Sequence, residues 1–71
     1  MTKYKKGDFI VSIYYEHRIK FITDVKRGYL VKEIYRNHPD AKWIFSSYPV
    51  FYLDNNYTLL KDVDELKVEL L

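Results

Sequence analysis

The chain has 71 residues, a length that allows one domain with a small hydrophobic core. Cysteine is absent, which excludes disulfide bridges, cysteine nucleophiles and cysteine-ligated zinc or iron–sulfur sites. With 48% hydrophobic and 31% charged residues the composition excludes a disordered chain, and a net charge of +2 is too small to drive non-specific nucleic-acid binding by itself. We therefore expect a single domain over residues 1–71 that is stabilised by packing alone.

The charge is unevenly distributed along the chain. Residues 1–36 contain nine basic and four acidic residues, whereas residues 37–71 contain three basic and six acidic ones. No apolar run approaches the roughly 18 residues of a membrane span, and no signal-peptide core follows the first six residues. We expect a cytoplasmic protein that does not contact a membrane.

The first half of the chain predicts three strands, because it is rich in β-branched and aromatic residues. In the first of them Phe9, Val11 and Ile13 share one face and are expected in the core. The three predicted strands are Phe9–Tyr14, Arg18–Val25 and Tyr29–Tyr35.

The second of these strands alternates with a period of two, as a half-buried strand does. Ile19 and Phe21 are expected to face the core, and Arg18 and Lys20 are expected to face solvent. Gly28 lies in the connection to the third strand, where glycine is available for a positive φ. The two strands therefore predict a hairpin.

The second half predicts two more strands, Lys42–Ser46 and Tyr57–Leu60. Pro49 interrupts the ladder after the first of them, and Val50–Leu53 is expected to be extended as well. One bent strand or two short ones fit this stretch.

The C-terminal segment predicts a short helix. Asp62 is an N-cap acceptor with Glu65 three residues later, and Val63, Leu66 and Leu70 fall at helical spacing. The alternative is a strand, since Leu66, Val68 and Leu70 also alternate.

Two short motifs resemble those of small Src-homology-3-like β-barrels such as the KOW and Tudor domains. The opening Lys6-Gly7-Asp8-Phe9-Ile10-Val11 matches their basic-Gly-Asp-apolar pattern, and Asn56-Tyr57-Thr58 is similar to the segment before the last strand. The resemblance covers residues 4–61 and implies a mainly β fold, a five-stranded barrel. The predicted helical tail over residues 62–71 lies outside it. The chain lacks the aromatic-acidic loop and paired tryptophans that hold a polyproline ligand in that family. Small cysteine-free proteins rich in lysine and tyrosine also resemble those encoded by phages and mobile elements.

The aromatic content predicts a binding surface. The chain contains eight tyrosines, four phenylalanines and one tryptophan, more than a small core can hold, so several tyrosines are expected at the surface. Exposed tyrosines are typical of protein interfaces, and tyrosines beside basic residues also suit nucleic acids. The predicted partner-binding residues are Tyr14, Tyr15, Arg18, Lys20, Lys26, Arg27, Tyr29 and Lys32.

Nothing in the sequence predicts an enzyme, a metal site or a cofactor. His17 and His38 have no partner at metal-ligand spacing, and the serines lie in strand-like segments without a nucleophile motif. A barrel of this size also offers little concavity for catalysis.

The sequence therefore predicts a non-enzymatic module that binds a protein. In its finer form it is a phage-type modulator or inhibitor of a host or defence protein, similar to anti-CRISPR or anti-restriction proteins. The alternative is a nucleic-acid-binding barrel of the KOW or cold-shock type, whose affinity would fall steeply with salt. A third hypothesis is a homodimer that pairs through Val63, Leu66 and Leu70 if the tail leaves them uncovered.

Overall fold

The structure, a computed structural model, describes residues 2–70 and is mainly β. Its elements in chain order are β1 (Phe9–Ser12), β2 (Arg18–Val25), β3 (Tyr29–Tyr35), β4 (Ile44–Tyr48), α1 (Val50–Asn56), β5 (Tyr57–Leu59) and α2 (Asp64–Leu70). The five strands form one antiparallel sheet in the order β4-β3-β2-β1-β5. The predicted mainly β fold with five strands and a C-terminal helix is confirmed.

The central hairpin of β2 and β3 has the bounds that the sequence predicts. Ile19 pairs with Ile34, and the register shifts between Ile22 and Asp24, where the Thr23 hydroxyl donates to the carbonyl of Leu30 at 2.9 Å. Such a bulge increases the twist of a strand. The bulge therefore increases the twist of β2 near the β2–β3 turn.

The segment after Pro49 is a helix, so the prediction of an extended Val50–Leu53 is wrong. Pro49 cannot donate into a sheet ladder, and its φ of −60° suits the residue before a helix. The helix α1 then directs Leu53 into the core and leaves Phe51 exposed. A short apolar run does not distinguish a strand from a helix, and here the tertiary contact of Leu53 decides.

Both faces of the sheet are covered, which the alternating pattern did not predict. On the face under α1 lies the α1-side core, and on the other lies the α2-side core, into which Leu66 of α2 packs. The buried residues of the α1-side core are Tyr4, Ile10, Ile22, Tyr29, Val31, Leu53 and Tyr57. Those of the α2-side core are Phe9, Ile19, Ile34 and Leu66. Neighbouring residues of one strand, such as Phe9 and Ile10, are therefore both buried.

Three local predictions are corrected by this arrangement. Ile13 is exposed because β1 ends at Ser12, and β4 begins at Ile44, two residues later than predicted. Asp62 does not cap α2, since the helix begins at Asp64 and Asp62 has a φ of +58° in the left-handed region. Aspartate tolerates that region better than most residues because its side chain bonds locally.

The strand order leaves the sheet open, with β4 and β5 at its two edges. In a flat sheet these edges would be roughly 19 Å apart, four strand spacings. Tyr48 of β4 and Tyr57 of β5 nevertheless lie with their ring centroids 4.5 and 4.9 Å from the same Lys20 ammonium. The sheet is therefore strongly curved on the α1 side, while a closed barrel stays a prediction.

Gly28 is required because the backbone of β4 approaches it closely, and not because its φ is positive. Of the two glycines only Gly7 has a φ in the left-handed region, at +97°. A Cβ on Gly28 would lie 2.6 Å from the carbonyl oxygen of Tyr48, which belongs to the neighbouring strand. The absence of a side chain at Gly28 lets β4 end against the β2–β3 turn.

We expect Gly28→Ala to lower the free energy of unfolding by about 1–3 kcal/mol, because backbone atoms must move to accept the methyl group. Urea denaturation measures this loss. The control is Lys26→Ala in the same turn, where an exposed side chain should change stability by less than about 0.5 kcal/mol. Equal stability of Gly28→Ala and the wild type would contradict the close approach.

Candidate interaction surface

Lys20 is buried, so the prediction that it faces solvent is wrong. Its side chain is 2% exposed, and its ammonium lies 2.9 Å from Oε1 of Glu33 on β3. The hydroxyl of Tyr48 donates to the same carboxylate oxygen at 2.5 Å. The aromatic rings of Tyr48 and Tyr57 flank the ammonium from the two edge strands. The cation therefore holds the curved sheet together and is not available to a partner.

The surroundings of this ion pair shift two pKa values. Burial by itself lowers the pKa of Lys20, but the neighbouring phenol of Tyr57 and carboxylate of Glu33 raise it above its ordinary value. Burial also raises the pKa of Tyr48, and its hydrogen bond to Glu33 adds to the shift. Both side chains are held in their protonated forms.

Tyr29 is also buried and cannot form part of an exposed surface. Its hydroxyl accepts a hydrogen bond from the backbone N–H of Tyr4 at 3.0 Å and donates one to Oδ1 of Asp54 at 2.5 Å. Burial and the bond to Asp54 raise the pKa of Tyr29. The side chain ties the N-terminal segment and α1 to the sheet.

The other basic residues of the predicted surface lie apart from one another. Lys26 and Arg27 are exposed in the β2–β3 turn. Lys32 lies on the α2 side with its ammonium 4.9 Å from the ring of Phe45. Arg18 begins β2 at the opposite end from the turn, roughly 20 Å along the strand. The structure therefore does not form one continuous basic ridge.

Tyr14 and Tyr15 lie in the connection between β1 and β2 and are 68% and 50% exposed. The hydroxyl oxygen of Ser12 accepts hydrogen bonds from both of their backbone N–H groups, at 3.1 and 3.2 Å. The N–H of Arg18 donates to the carbonyl of Tyr15 at 3.0 Å and closes the turn. Both tyrosines are thus presented from an ordered backbone.

Arg18 stacks between two tyrosines at this end of the sheet. Its guanidinium carbon lies 4.4 Å from the ring centroid of Tyr15 and 5.2 Å from that of Tyr35, its cross-strand neighbour. His17 lies edge-on to the ring of Tyr35, with centroids 6.4 Å apart. Contacts of this kind between an arginine and aromatic rings are favourable by about 0.5–2 kcal/mol. They fix the ring of Tyr15 in place.

We name the group Tyr14, Tyr15, Arg18 and Tyr35 the tyrosine patch. The sequence predicts three of its members, while Tyr35 was outside the predicted surface because its pairing with Arg18 depends on the β2–β3 register. Within residues 2–70 the ion pairs are Lys20 with Glu33 and Arg36 with Glu69, so no carboxylate there neutralises Arg18. The Nε of Arg18 is buried and has no hydrogen-bond partner among those residues. The patch therefore combines exposed rings with a cation that lacks an anionic partner.

The tail does not offer the apolar face that a tail-mediated homodimer requires. Leu66 is buried in the α2-side core, and Val63 and Leu70 pack against the same cluster. Glu69 of this helix forms an ion pair with Arg36, with 3.5 Å between Oε1 and Nη2. The condition for pairing through Val63, Leu66 and Leu70 is thus not met.

In the part of the chain from residue 2 to residue 70, no three histidine, aspartate or glutamate side chains gather to hold a metal ion. Neither α1 nor α2 is long and apolar enough to cross a membrane.

No protein-family model matches the chain, and no curated protein or solved structure matches it either. The function must therefore be inferred from the residues themselves.

Because the ion pair is buried, removing one partner should destabilise the protein strongly. We expect Lys20→Met to lower the free energy of unfolding by about 3–5 kcal/mol, since Glu33 would remain charged without its cation. The double variant Lys20→Met/Glu33→Leu should recover at least about 1 kcal/mol of that loss. Urea denaturation measures both, with Lys26→Met as an exposed control. Strictly additive losses would contradict the pairing.

The raised pKa values of Lys20, Tyr29 and Tyr48 predict a loss of stability at alkaline pH. A group whose pKa is higher in the folded state stabilises that state fully below its unfolded pKa and loses this contribution as the pH rises through the folded value. We expect the free energy of unfolding to fall above about pH 10, where unfolded tyrosine ionises. Urea denaturation from neutral pH upward measures it, and Tyr48→Phe should flatten the decline. An unchanged decline in Tyr48→Phe would show that Tyr48 does not contribute.

Proposed function

We propose that this protein is a non-enzymatic interaction module that binds a protein partner through the tyrosine patch. The observation that carries the proposal is the pair Tyr14 and Tyr15, which are exposed although their backbone is held by Ser12. Rigid tyrosines give a large contact area at a low entropic cost, and they are enriched among residues that dominate interface energetics. The patch thus has the properties of a protein-binding surface.

The distribution of the cations supports a protein partner over a nucleic acid. A single strand is bound by successive cations along its backbone together with stacking rings. Lys20 is enclosed by the sheet, and Lys26 and Arg27 lie at the far end of β2 from Arg18. Of the predicted basic residues, only Arg18 belongs to the tyrosine patch.

More specifically, we propose that the module modulates or inhibits a host or defence protein, as phage-type accessory proteins do. Its small size and its lysine and tyrosine content support the resemblance to phage-encoded proteins, and its five antiparallel strands support the resemblance to small Src-homology-3-like modules. A fold of this kind supports many functions, so the partner has to be identified by experiment.

The test is quantitative recovery of bound proteins from a cell lysate by the wild type and by Tyr14→Ala/Tyr15→Ala. We expect recovery of the specific partner to fall at least about tenfold, since truncating interface tyrosines commonly costs more than 1 kcal/mol each. The matched control is Phe51→Ala/Val68→Ala, which removes two similarly exposed apolar side chains outside the patch. Lys26→Glu/Arg27→Glu should also retain the partner. Equal recovery by the Tyr14→Ala/Tyr15→Ala variant would disprove the surface.

The alternative is tested with labelled single- and double-stranded DNA and RNA at about 50 and 200 mM salt. We expect no binding at the lower salt. Tight binding there, with a steep fall at the higher salt, would favour a nucleic-acid-binding domain and contradict a protein partner.

A further inference from the structure

Strand β4 is an unprotected sheet edge. It pairs with β3 on one side, and no other strand of residues 2–70 pairs with its outer side. An edge strand presents a row of N–H and C=O groups that another extended chain can pair with. The occupant that fits such an edge is therefore an extended backbone.

The composition of β4 lacks the devices that keep sheet edges from pairing. Its five residues include no charged residue and no proline, and Phe45 is 75% exposed. The other edge, β5, has only three residues and lies between α1 and α2 along the chain. Short edges, charges and prolines are the usual protections, so β4 is the edge that favours pairing.

We propose that β4 pairs with β4 of a second copy of this chain, antiparallel about a two-fold axis at Ser46. This register pairs all five residues of both strands, and it places Phe45 opposite Ser47 and Ile44 opposite Tyr48 of the second copy. The ten strands of the two copies then form one continuous sheet. A two-fold interface of this kind uses the same surface on both copies.

The occupant is a second copy because β4 is complementary to itself in this register. A large side chain, Phe45, meets a small one, Ser47, and its ring also reaches its diagonal counterpart on the second copy. No like charges face each other, since the strand has none. The ammonium of Lys32 on β3 already contacts the ring of Phe45 at 4.9 Å. One strand pair buries little surface, so we expect a dissociation constant in the micromolar range.

Pairing at β4 leaves the connection that carries Tyr14 and Tyr15 uncovered, because β3 and β2 separate it from the dimer axis. One dimer then carries two tyrosine patches. Linked sites of this kind raise the apparent affinity for a repetitive or dimeric partner without new contacts. The dimer itself does not depend on the proposed function of the patch.

Sedimentation equilibrium of the wild type over a range of concentrations tests the dimer. We expect Phe45→Lys to raise the dissociation constant at least about tenfold, because a buried anchor is lost and two new cations approach each other. The control is Val68→Lys, the same change at a site on α2 that is 72% exposed, and it should leave the dimer intact. Phe45 and Val68 are both exposed, and circular dichroism verifies that the variants fold.

A charge pair tests the register. In the proposed dimer, Phe45→Lys of one copy lies directly opposite Ser47→Glu of the other. Each variant alone should dimerise more weakly than the wild type. In an equimolar mixture the two variants should associate with a dissociation constant at least about tenfold lower than that of either alone, because close opposite charges couple across interfaces. Exchange of the outward-facing β4 amides should also slow as the concentration of the wild type rises.

Three outcomes would overturn the proposal. The first is a monomeric wild type at about 1 mM, a concentration at which even weak dimers form. The second is a dimer that Val68→Lys disrupts and Phe45→Lys does not. The third is a wild type that stays monomeric and captures a foreign protein that the Phe45→Lys variant no longer captures. This result would show that β4 pairs with a strand of a different chain.

Discussion

The buried ion pair between Lys20 and Glu33 joins the two central strands of the sheet, and the rings around it belong to both edges. Tyr48 comes from β4 and Tyr57 from β5, so four of the five strands meet at one ammonium group. A cation without these partners would not be stable in the interior, since the cost of desolvation is several kcal/mol. The cluster therefore brings side chains of both edge strands to one point on the α1 side of the sheet.

Two helices and the N-terminal segment cover both faces of the sheet. Helix α1 and the N-terminal segment cover one face through Leu53 and Tyr4, and α2 covers the other through Leu66. The hydroxyl of Tyr29 connects the first two of these by bonding to Tyr4 and to Asp54. The polar atoms of the buried tyrosines therefore replace the disulfides that small domains commonly use.

Because both faces are covered, the two proposed interaction surfaces lie at an end and at an edge of the sheet. At one end Ser12 and Arg18 fix the connection that carries Tyr14 and Tyr15. At one edge β4 presents Phe45 and an outer row of backbone groups with which no other strand of residues 2–70 pairs. The first surface offers side chains and an arginine that forms no ion pair within residues 2–70, and the second offers main-chain groups. They are thus suited to different occupants and can be tested separately.

The sequence by itself determined the strands β2 and β3, the mainly β class and the C-terminal helix, because these depend on local composition and periodicity. It also placed Tyr14 and Tyr15 among the predicted partner-binding residues, and both are exposed. Only the tertiary structure decided that Lys20 and Tyr29 are internal, since burial of a charge or a phenol depends on partners such as Glu33 and Asp54 far along the chain. It likewise turned the segment after Pro49 into a helix through the contact of Leu53, and it brought Tyr35 to Arg18 through the strand register. Pairings across the sheet are not encoded in the period of one strand, and that is the physical reason why the site was predicted only in part.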